Sequence, residues 1–266
     1  FCQARPTSDV VIEARSVRAA GDIQVRTLPS RLQKIERVTD DVAILYLKLP
    51  ATERLQFIAG QYLDILLRDG SRRSFSMANA PHDDEFVQLH IRHVPGGSFT
   101  DHVFLKMKER EILRFEAPLG TFALREDSTK PIVFVASGTG FAPIKSILET
   151  AFRAGNTRPM TLYWGGRRPK DLYMNDLPQQ WAAEHANFRY VPVISDALPE
   201  DQWTGRSGFV HRAVMADFPD LSGHEVYACG VPVMVDAAQR DFTGQCGLPA
   251  EAFYCDSFTT KADKAA

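Results

Sequence analysis

The apolar pattern of this 266-residue chain changes period near residue 130, and no other feature constrains its fold as tightly. Upstream, short apolar runs alternate with turn signals. Leu32–Arg37, Val42–Leu49, Gln61–Leu67, Arg73–Asn79, Phe86–Val94 and Ile112–Glu116 read as strands, punctuated by Thr39-Asp40-Asp41, Asp69-Gly70 and Pro81–Asp84. Six short strands with regular turns predict an antiparallel barrel or sandwich. Phe99–Lys108 is the one helical stretch expected there. Downstream, strands Ile132–Ala136, Met160–Trp164, Phe188–Ile194 and Glu225–Ala228 alternate with helices. In the first helix Ile144, Ile147, Leu148, Ala151 and Phe152 fall on one face, and Gly155 stands at the C-terminal cap position. Leu177–Glu184, Val210–Phe218 and Pro232–Phe242 supply the others. That alternation predicts a parallel sheet with right-handed crossovers. Before Pro29 the pattern is weak: Asp9–Ala14 is strand-like and Ser16–Thr27 reads as a connector.

Composition excludes several classes. Lys plus Arg number 31 and Asp plus Glu 33, a formal charge of −2, so nothing general attracts nucleic acid or an anionic membrane. No run approaches the roughly 20 apolar residues that span a bilayer. The cysteines, Cys2, Cys229, Cys246 and Cys255, form no Cys-x-x-Cys pair, which argues against a closed zinc site and a disulfide-built fold. A reducing, cytoplasmic setting is the expectation. The opening Phe1-Cys2-Gln3, directly before a strand-like segment, reads like a chain cut from something longer.

Five constellations carry chemistry. Arg73-Ser74-Phe75-Ser76 ends a barrel strand: a guanidinium suits a diphosphate, an aromatic face a planar ring, a hydroxyl a ring nitrogen. The same residues also suit an ordinary strand with an exposed Arg and a core Phe. Gly96-Gly97-Ser98-Phe99-Thr100 opens the lone helix of the first half, where free amides attract phosphate, or where Ser98 or Thr100 is a plain cap. Ser137-Gly138-Thr139-Gly140-Phe141-Ala142-Pro143 is a glycine-rich strand-to-helix turn, the place where a parallel sheet receives a nucleotide diphosphate. Pro143 occupies the third glycine position of the usual dinucleotide fingerprint. Cys229-Gly230 ends a later strand at the same edge, as a ring contact or as a small buried residue before a turn. Phe253–Phe258 is an aromatic stretch that either covers a flat ligand or completes the core.

Taken in order, from Leu32 to Phe258, these motifs resemble the ferredoxin–NADP reductase-like flavin reductases. Gln61-Tyr62-Leu63-Asp64, Leu162-Tyr163-Trp164-Gly165 and Trp203-Thr204-Gly205 extend the resemblance to the CDP-6-deoxy-Δ3,4-glucoseen reductases; oxygenase reductases share the arrangement. The resemblance implies a six-stranded FAD-binding barrel over 25–126, a parallel α/β NAD(P)-binding domain over 127–258 and a polar tail over 259–266. Arg73 would hold the FAD diphosphate, Phe75 would lie along the isoalloxazine, and Ser76 would bond its N5. His90, Ile91 and Arg92 would border the flavin, and Gly97, Ser98 and Thr100 would receive its diphosphate. Gly138, Thr139, Gly140 and Pro143 would receive the nicotinamide nucleotide. Cys229, with Gly230, would stand near the hydride-donating carbon, making Ser76 and Cys229 the catalytic pair. Phe75 departs from the usual Tyr, and residues follow Phe258 where other members end on an aromatic.

NADH is expected over NADPH, because Asp196 after Ile194-Ser195 repels a 2′-phosphate, although Arg167 and Arg168 stand near. Residues 1–24 resemble the end of a plant-type [2Fe–2S] ferredoxin with a linker. Cys2 would then be the fourth cluster ligand, its three companions lying in a longer parent chain. The implied function is electron transfer from NADH through FAD to a [2Fe–2S] centre and an acceptor protein, a dehydrase or an oxygenase. A non-catalytic flavin relay is the reading from another class.

Overall fold

The computed structural model of the chain describes residues 23–259. Cys2, the strand-like Asp9–Ala14 and the tail from Thr260 onward lie outside the described residues. Six antiparallel strands come first: β1 (Arg26–Arg37), β2 (Val42–Lys48), β3 (Tyr62–Leu66), β4 (Arg72–Ser76), β5 (Val87–Arg92) and β6 (Ile112–Leu119). They lie in the order β4-β3-β6-β1-β2-β5. A bridge between Met77 and Leu89, with Ala78 N–H donating to Gln88 O at 2.8 Å, joins β4 to β5 and closes the sheet on itself. Helix α1 (Ser98–Leu105) turns Phe99, Val103 and Phe104 into the barrel interior, against Leu32, Leu45, Leu63 and Phe115.

The limits of β1, β4 and β6 differ most from the sequence expectation, β6 running on to Leu119 rather than ending at Glu116. β1 begins at Arg26, inside the expected connector, because Leu28, Ser30 and Leu32 alternate inward. Ser30 hides that alternation in the sequence; its hydroxyl is satisfied by Leu113 O at 3.2 Å. Pro29 is tolerated since β1 pairs there with β6 alone, β2 joining only from Arg31. Strand β4 ends at Ser76, and the chain leaves the strand through Met77–Ala80.

The second half is β7 (Ile132–Ser137), α2 (Phe141–Arg153), β8 (Met160–Gly166), α3 (Asp176–Glu184), β9 (Phe188–Ile194), β10 (Arg206–Ser207), α4 (Val210–Asp217), β11 (Glu225–Gly230), α5 (Pro232–Gln245) and β12 (Phe253–Ser257). All six strands are parallel, in the order β10-β9-β8-β7-β11-β12. Every strand and helix expected here forms. The short β10 and the terminal β12 are additional: β10 spans two residues, and β12 carries Cys255-Asp256-Ser257 where an apolar run would announce a strand. Helices α2 and α3 cover one face of the sheet, packing on Phe134, Ala136 and Trp164. Helices α4 and α5 cover the other, on Val133, Val135 and Tyr163. Each large side chain buried this way contributes about 1.5–3 kcal/mol.

The strand order reverses between β7 and β11. Successive units run outward through β8 and β9 on one side and through β12 on the other, so the carboxyl ends of β7 and β11 frame a crevice. The barrel packs against that edge.

Candidate functional site at the domain boundary

On the barrel side, Arg73 leaves β4 toward the start of α1. Its guanidinium donates to Ser98 Oγ at 3.3 Å and to Arg72 O at 2.7 Å, so two motifs 25 residues apart in sequence meet. Gly96 has φ +81°, and Gly97 is the N-cap of α1, bringing no side chain to the first-turn amides. A Cβ on Gly97 would lie 2.6 Å from Thr100 Oγ1. The Thr100 hydroxyl donates to Val94 O at 2.9 Å and accepts from Val94 N–H at 3.2 Å. The Thr100 hydroxyl thus shapes the loop. Asp101 fixes the loop from below, accepting from Gly96 N–H at 3.1 Å and bonding His93 Nε2 at 2.8 Å. Phe75 is half-buried against Phe99, ring centroids 5.3 Å apart.

Along β5 the expected trio divides. Ile91 is fully buried in the barrel core, since Val87, Leu89 and Ile91 take the inward positions of an alternating strand. Its side chain therefore does not border the crevice. His90 and Arg92 face outward to the α/β domain. His90 Nδ1 and Tyr173 Oη are 2.8 Å apart, and burial, reinforced by the Lys145 charge, lowers the imidazole to about 3. Arg92 donates to Asp41 Oδ2 at 2.8 Å and lies 3.8 Å from Asp171 Oδ1. Its other nitrogens point toward Gly138, whose added Cβ would sit 3.6 Å from Arg92 Nη2.

On the α/β side, Gly138–Gly140 make one tight helical turn between β7 and α2, with Gly138 at φ +52°. Trp164 Nε1 donates to Gly138 O at 3.0 Å, and the Trp164 ring stacks on Phe141 at 4.0 Å. Gly140 lies directly on the end of β11: a Cβ there would stand 2.1 Å from Cys229 O. Gly230, at φ +144°, packs as closely on Ser137, whose hydroxyl accepts from Val231 N–H at 3.1 Å. Pro143 is buried within the first turn of α2. Cys229 is fully buried, and burial pushes its thiol well up, so it sits there as a neutral SH. Phe258 packs on the same core and its N–H donates to Gly230 O at 2.8 Å, placing the ring beside the crevice.

A further bond joins the two halves beside Cys229. Ser76 Oγ lies 3.5 Å from Asp256 Oδ2, and Asp256 is the registered neighbour of Cys229 across β11 and β12. Burial raises the Asp256 carboxyl to about 6, with the Ser76 bond acting against it. Asp256 and Tyr173 are the site residues the sequence hid, one inside an aromatic stretch and the other in a loop without a motif. The structure thus gathers Ser76, Cys229 and Asp256, and separately Arg73 with Ser98. The cluster expectation at Cys2 falls outside the described residues.

Two observations show that this boundary suits large polar ligands. Among the described residues, His90 Nε2 and Arg92 Nε and Nη2 are buried without a hydrogen-bond partner, a costly state that a ligand oxygen relieves. Beside them a cleft of about 530 Å³, lined by Asp41, Arg167, Lys170, Asp171 and Asp196 among others, runs out along the ends of β8 and β9. Comparison with known families agrees: residues 29–124 match an oxidoreductase FAD-binding domain and 134–240 an oxidoreductase NAD-binding domain. The CDP-6-deoxy-L-threo-D-glycero-4-hexulose-3-dehydrase reductase of Yersinia pseudotuberculosis is 43% identical over 97% of this chain and 76% of its own.

The chain belongs to the ferredoxin reductase-type flavin oxidoreductases. Reductase component 1 of terephthalate 1,2-dioxygenase from Comamonas is 38% identical, over 98% of this chain and 76% of that protein. The solved cytochrome P450 reductase of Amycolatopsis superposes with a TM-score of 0.83 at 33% identity, covering 97% of this chain and 78% of that one. As a ferredoxin reductase-type enzyme, this chain has FAD and a nicotinamide nucleotide as its cofactors, one for each domain. Among the described residues no helix is long and apolar enough to cross a membrane.

Proposed function

We propose that the chain oxidises NADH at the domain boundary and delivers the electrons to an acceptor protein through a [2Fe–2S] centre held by a longer parent chain. The observation that carries this reading is the Ser76–Asp256 bond, which brings the end of the Arg73–Ser76 strand up to Cys229 and the Gly138–Gly140 turn. Bound FAD supplies the chemistry, taking a hydride from the nicotinamide and releasing electrons singly.

The chain's own residues bind and orient. The barrel, over 25–126, holds the flavin. Arg73 and the Gly97, Ser98 and Thr100 amides bind its diphosphate, joining a fixed guanidinium to a helix N-terminus. Phe75 lies along the ring and Ser76 bonds its N5. His90, kept neutral by burial, and Arg92 border it, with Arg92 reaching to the nucleotide side. The domain over 127–258 holds the nucleotide through Gly138, Thr139 and Gly140, with Pro143 fixing the helix start. Cys229 and Gly230 let the nicotinamide approach closely, and Phe258 covers the ring. The acceptor resembles the dehydrase named for the 43%-identical Yersinia relative; the 38%-identical dioxygenase component supports an oxygenase as the second reading.

NADH is preferred because Arg168, at the cleft, is committed within the protein and Asp196 brings a carboxylate there. Arg168 clasps Asp201 with two bonds, at 2.5 and 2.8 Å, and Asp196 is exposed beside it. The test is the visible spectrum of the FAD-loaded protein under anaerobic titration. Bleaching by NADH at far lower concentration than by NADPH supports the reading. A flavin band that ignores both nucleotides identifies an electron relay instead, and a protein that takes up no FAD overturns the assignment.

A further inference from the structure

Helix α2 does more than start at the nucleotide turn. Its fifth and sixth residues, Lys145 and Ser146, are buried where α2 crosses the barrel. Ser146 Oγ donates to Asn79 O at 2.7 Å, and Lys145 Nζ donates to Ala78 O at 3.2 Å while pairing with Glu149 at 2.8 Å. Both carbonyls belong to Met77–Ala80, the segment that leaves β4 directly after Ser76.

A buried ammonium costs several kcal/mol unless fully bonded, and an apolar side chain of similar length packs at less cost. Lys145 is 6% exposed and lies with Ser146 on the barrel-facing side of α2, away from the Ile144, Ile147 and Leu148 face that packs on the sheet. What its bonds add is registry between two domains. They complete a closed circuit. Ser76 leads in two and three residues to Ala78 and Asn79, which Lys145 and Ser146 hold. About 7.5 Å down the helix is Gly140, seated on Cys229 O. Cys229 neighbours Asp256, which bonds Ser76 again.

We propose that Lys145 and Ser146 are positioning residues that fix the distance between the flavin strand and the nucleotide turn, and so the approach of hydride donor to acceptor. The proposal rests on the function proposed above. Hydride transfer is sensitive to such placement, since a displacement near 1 Å costs about 100-fold in rate.

The test compares wild type with Ser146→Ala, Ser146→Thr and the double variant Lys145→Met/Ser146→Ala. Two readouts are taken. In the FAD-loaded protein, stopped-flow bleaching by NADH gives a limiting rate and an apparent Kd. In the protein as purified, residual dipolar couplings report whether both domains share one alignment tensor. We expect the double variant to keep its FAD content and its NADH Kd within about 2-fold while the limiting rate falls about 10- to 100-fold. Its domains should need two tensors, Ser146→Ala should fall between, and Ser146→Thr, which retains the hydroxyl, should behave as wild type. A merely structural pair would lower the melting temperature and leave rate and common tensor intact, which overturns the proposal. If the double variant does not fold, Ser146→Ala against Ser146→Thr decides the question. Should wild type itself not be bleached by NADH, the functional reading falls, and the tensors alone still decide whether the pair sets the domain registry.

Discussion

Ser76 and Asp256 are 180 residues apart, yet their side chains meet at 3.5 Å across the boundary between barrel and α/β domain. The carboxyl is raised to about 6 by burial, so near neutrality this contact stands close to its protonation midpoint. The native Asp256 holds its proton to about pH 6, whereas the unfolded chain releases it near 3.8. Between those values the folded protein binds more protons than the unfolded one, so stability from this group is full below the unfolded value and is lost as pH rises through the folded one. Wild type should therefore lose on the order of 1 kcal/mol from this group between pH 5 and pH 8. Asp256→Asn should remove that part of the pH dependence. Urea unfolding of both proteins at the two pH values checks it; parallel pH profiles would show that Asp256 titrates normally.

Arg73 joins β4 to the start of α1 through Ser98, bonding there to a neutral hydroxyl. Replacing it by Ala removes the barrel's fixed cation at the glycine loop, and charged hydrogen bonds of this kind contribute about 1.5–3 kcal/mol each. Arg73→Ala should weaken FAD binding by about 10- to 100-fold, with the far-ultraviolet circular dichroism unchanged. Flavin content per chain after gel filtration is the measurement, and retention at the wild-type ratio would remove Arg73 from the flavin site.

The architecture was legible because each half announces its own period. Ile132–Ala136 and the Ile144/Ile147/Leu148 face are patterned by burial alone, and each forms as read. Local turn chemistry was equally visible, as at Gly155, which takes the left-handed conformation at φ +66° just beyond α2. What stayed hidden is long-range pairing of polar groups. Nothing in Cys255-Asp256-Ser257 marks a strand, because β12 is an edge strand whose Asp256 is turned to a partner in the other domain. Ile91 shows the complementary case: its neighbours His90 and Arg92 face the boundary, and alternation sends the side chain between them into the core. At Thr100 the sequence allowed the hydroxyl a loop-shaping bond as well as a ligand, and only the folded loop shows its bonds to Val94.

Gly140 and Gly230 are required by close approach. A methyl group on Gly140 would stand 2.1 Å from Cys229 O, and one on Gly230 would stand 2.1 Å from Ser137 Oγ at a φ of +144°. The first obstruction is backbone, which cannot rotate away. Gly140→Ala should lower stability by about 2–4 kcal/mol and displace the turn from β11. Because the barrel's Arg73 and Gly97 are remote from that contact, FAD content should persist while NADH binding fails. Flavin absorbance and an NADH titration on one preparation separate the two effects, and joint loss of both ligands would mean that the turn also holds the barrel.

Nucleotide choice should lie in the ion pairs at the ends of β8 and β9. Arg168 is bound to Asp201 through both Nε and Nη2 and lies 3.4 Å from Glu200, so its charge is spent within the protein. Asp196 stands exposed beside the same cleft, where its carboxylate repels a phosphate dianion and can accept from a ribose hydroxyl. Removing one acid frees a cation, and removing the other lifts a repulsion. Asp201→Ala alone should raise kcat/KM for NADPH a few-fold by releasing Arg168. The combination Asp196→Ser/Asp201→Ala should shift the NADPH-to-NADH ratio by at least about 10-fold, the equivalent of one additional charged hydrogen bond to the nucleotide. The effect should shrink at high salt, because an exposed guanidinium–phosphate pair is screened. Initial rates with both nucleotides at low and high ionic strength test this directly. If the double variant improves equally with NADH and NADPH, the clasp on Arg168 governs the shape of the cleft rather than its charge, and selectivity against the 2′-phosphate must come from elsewhere along β9.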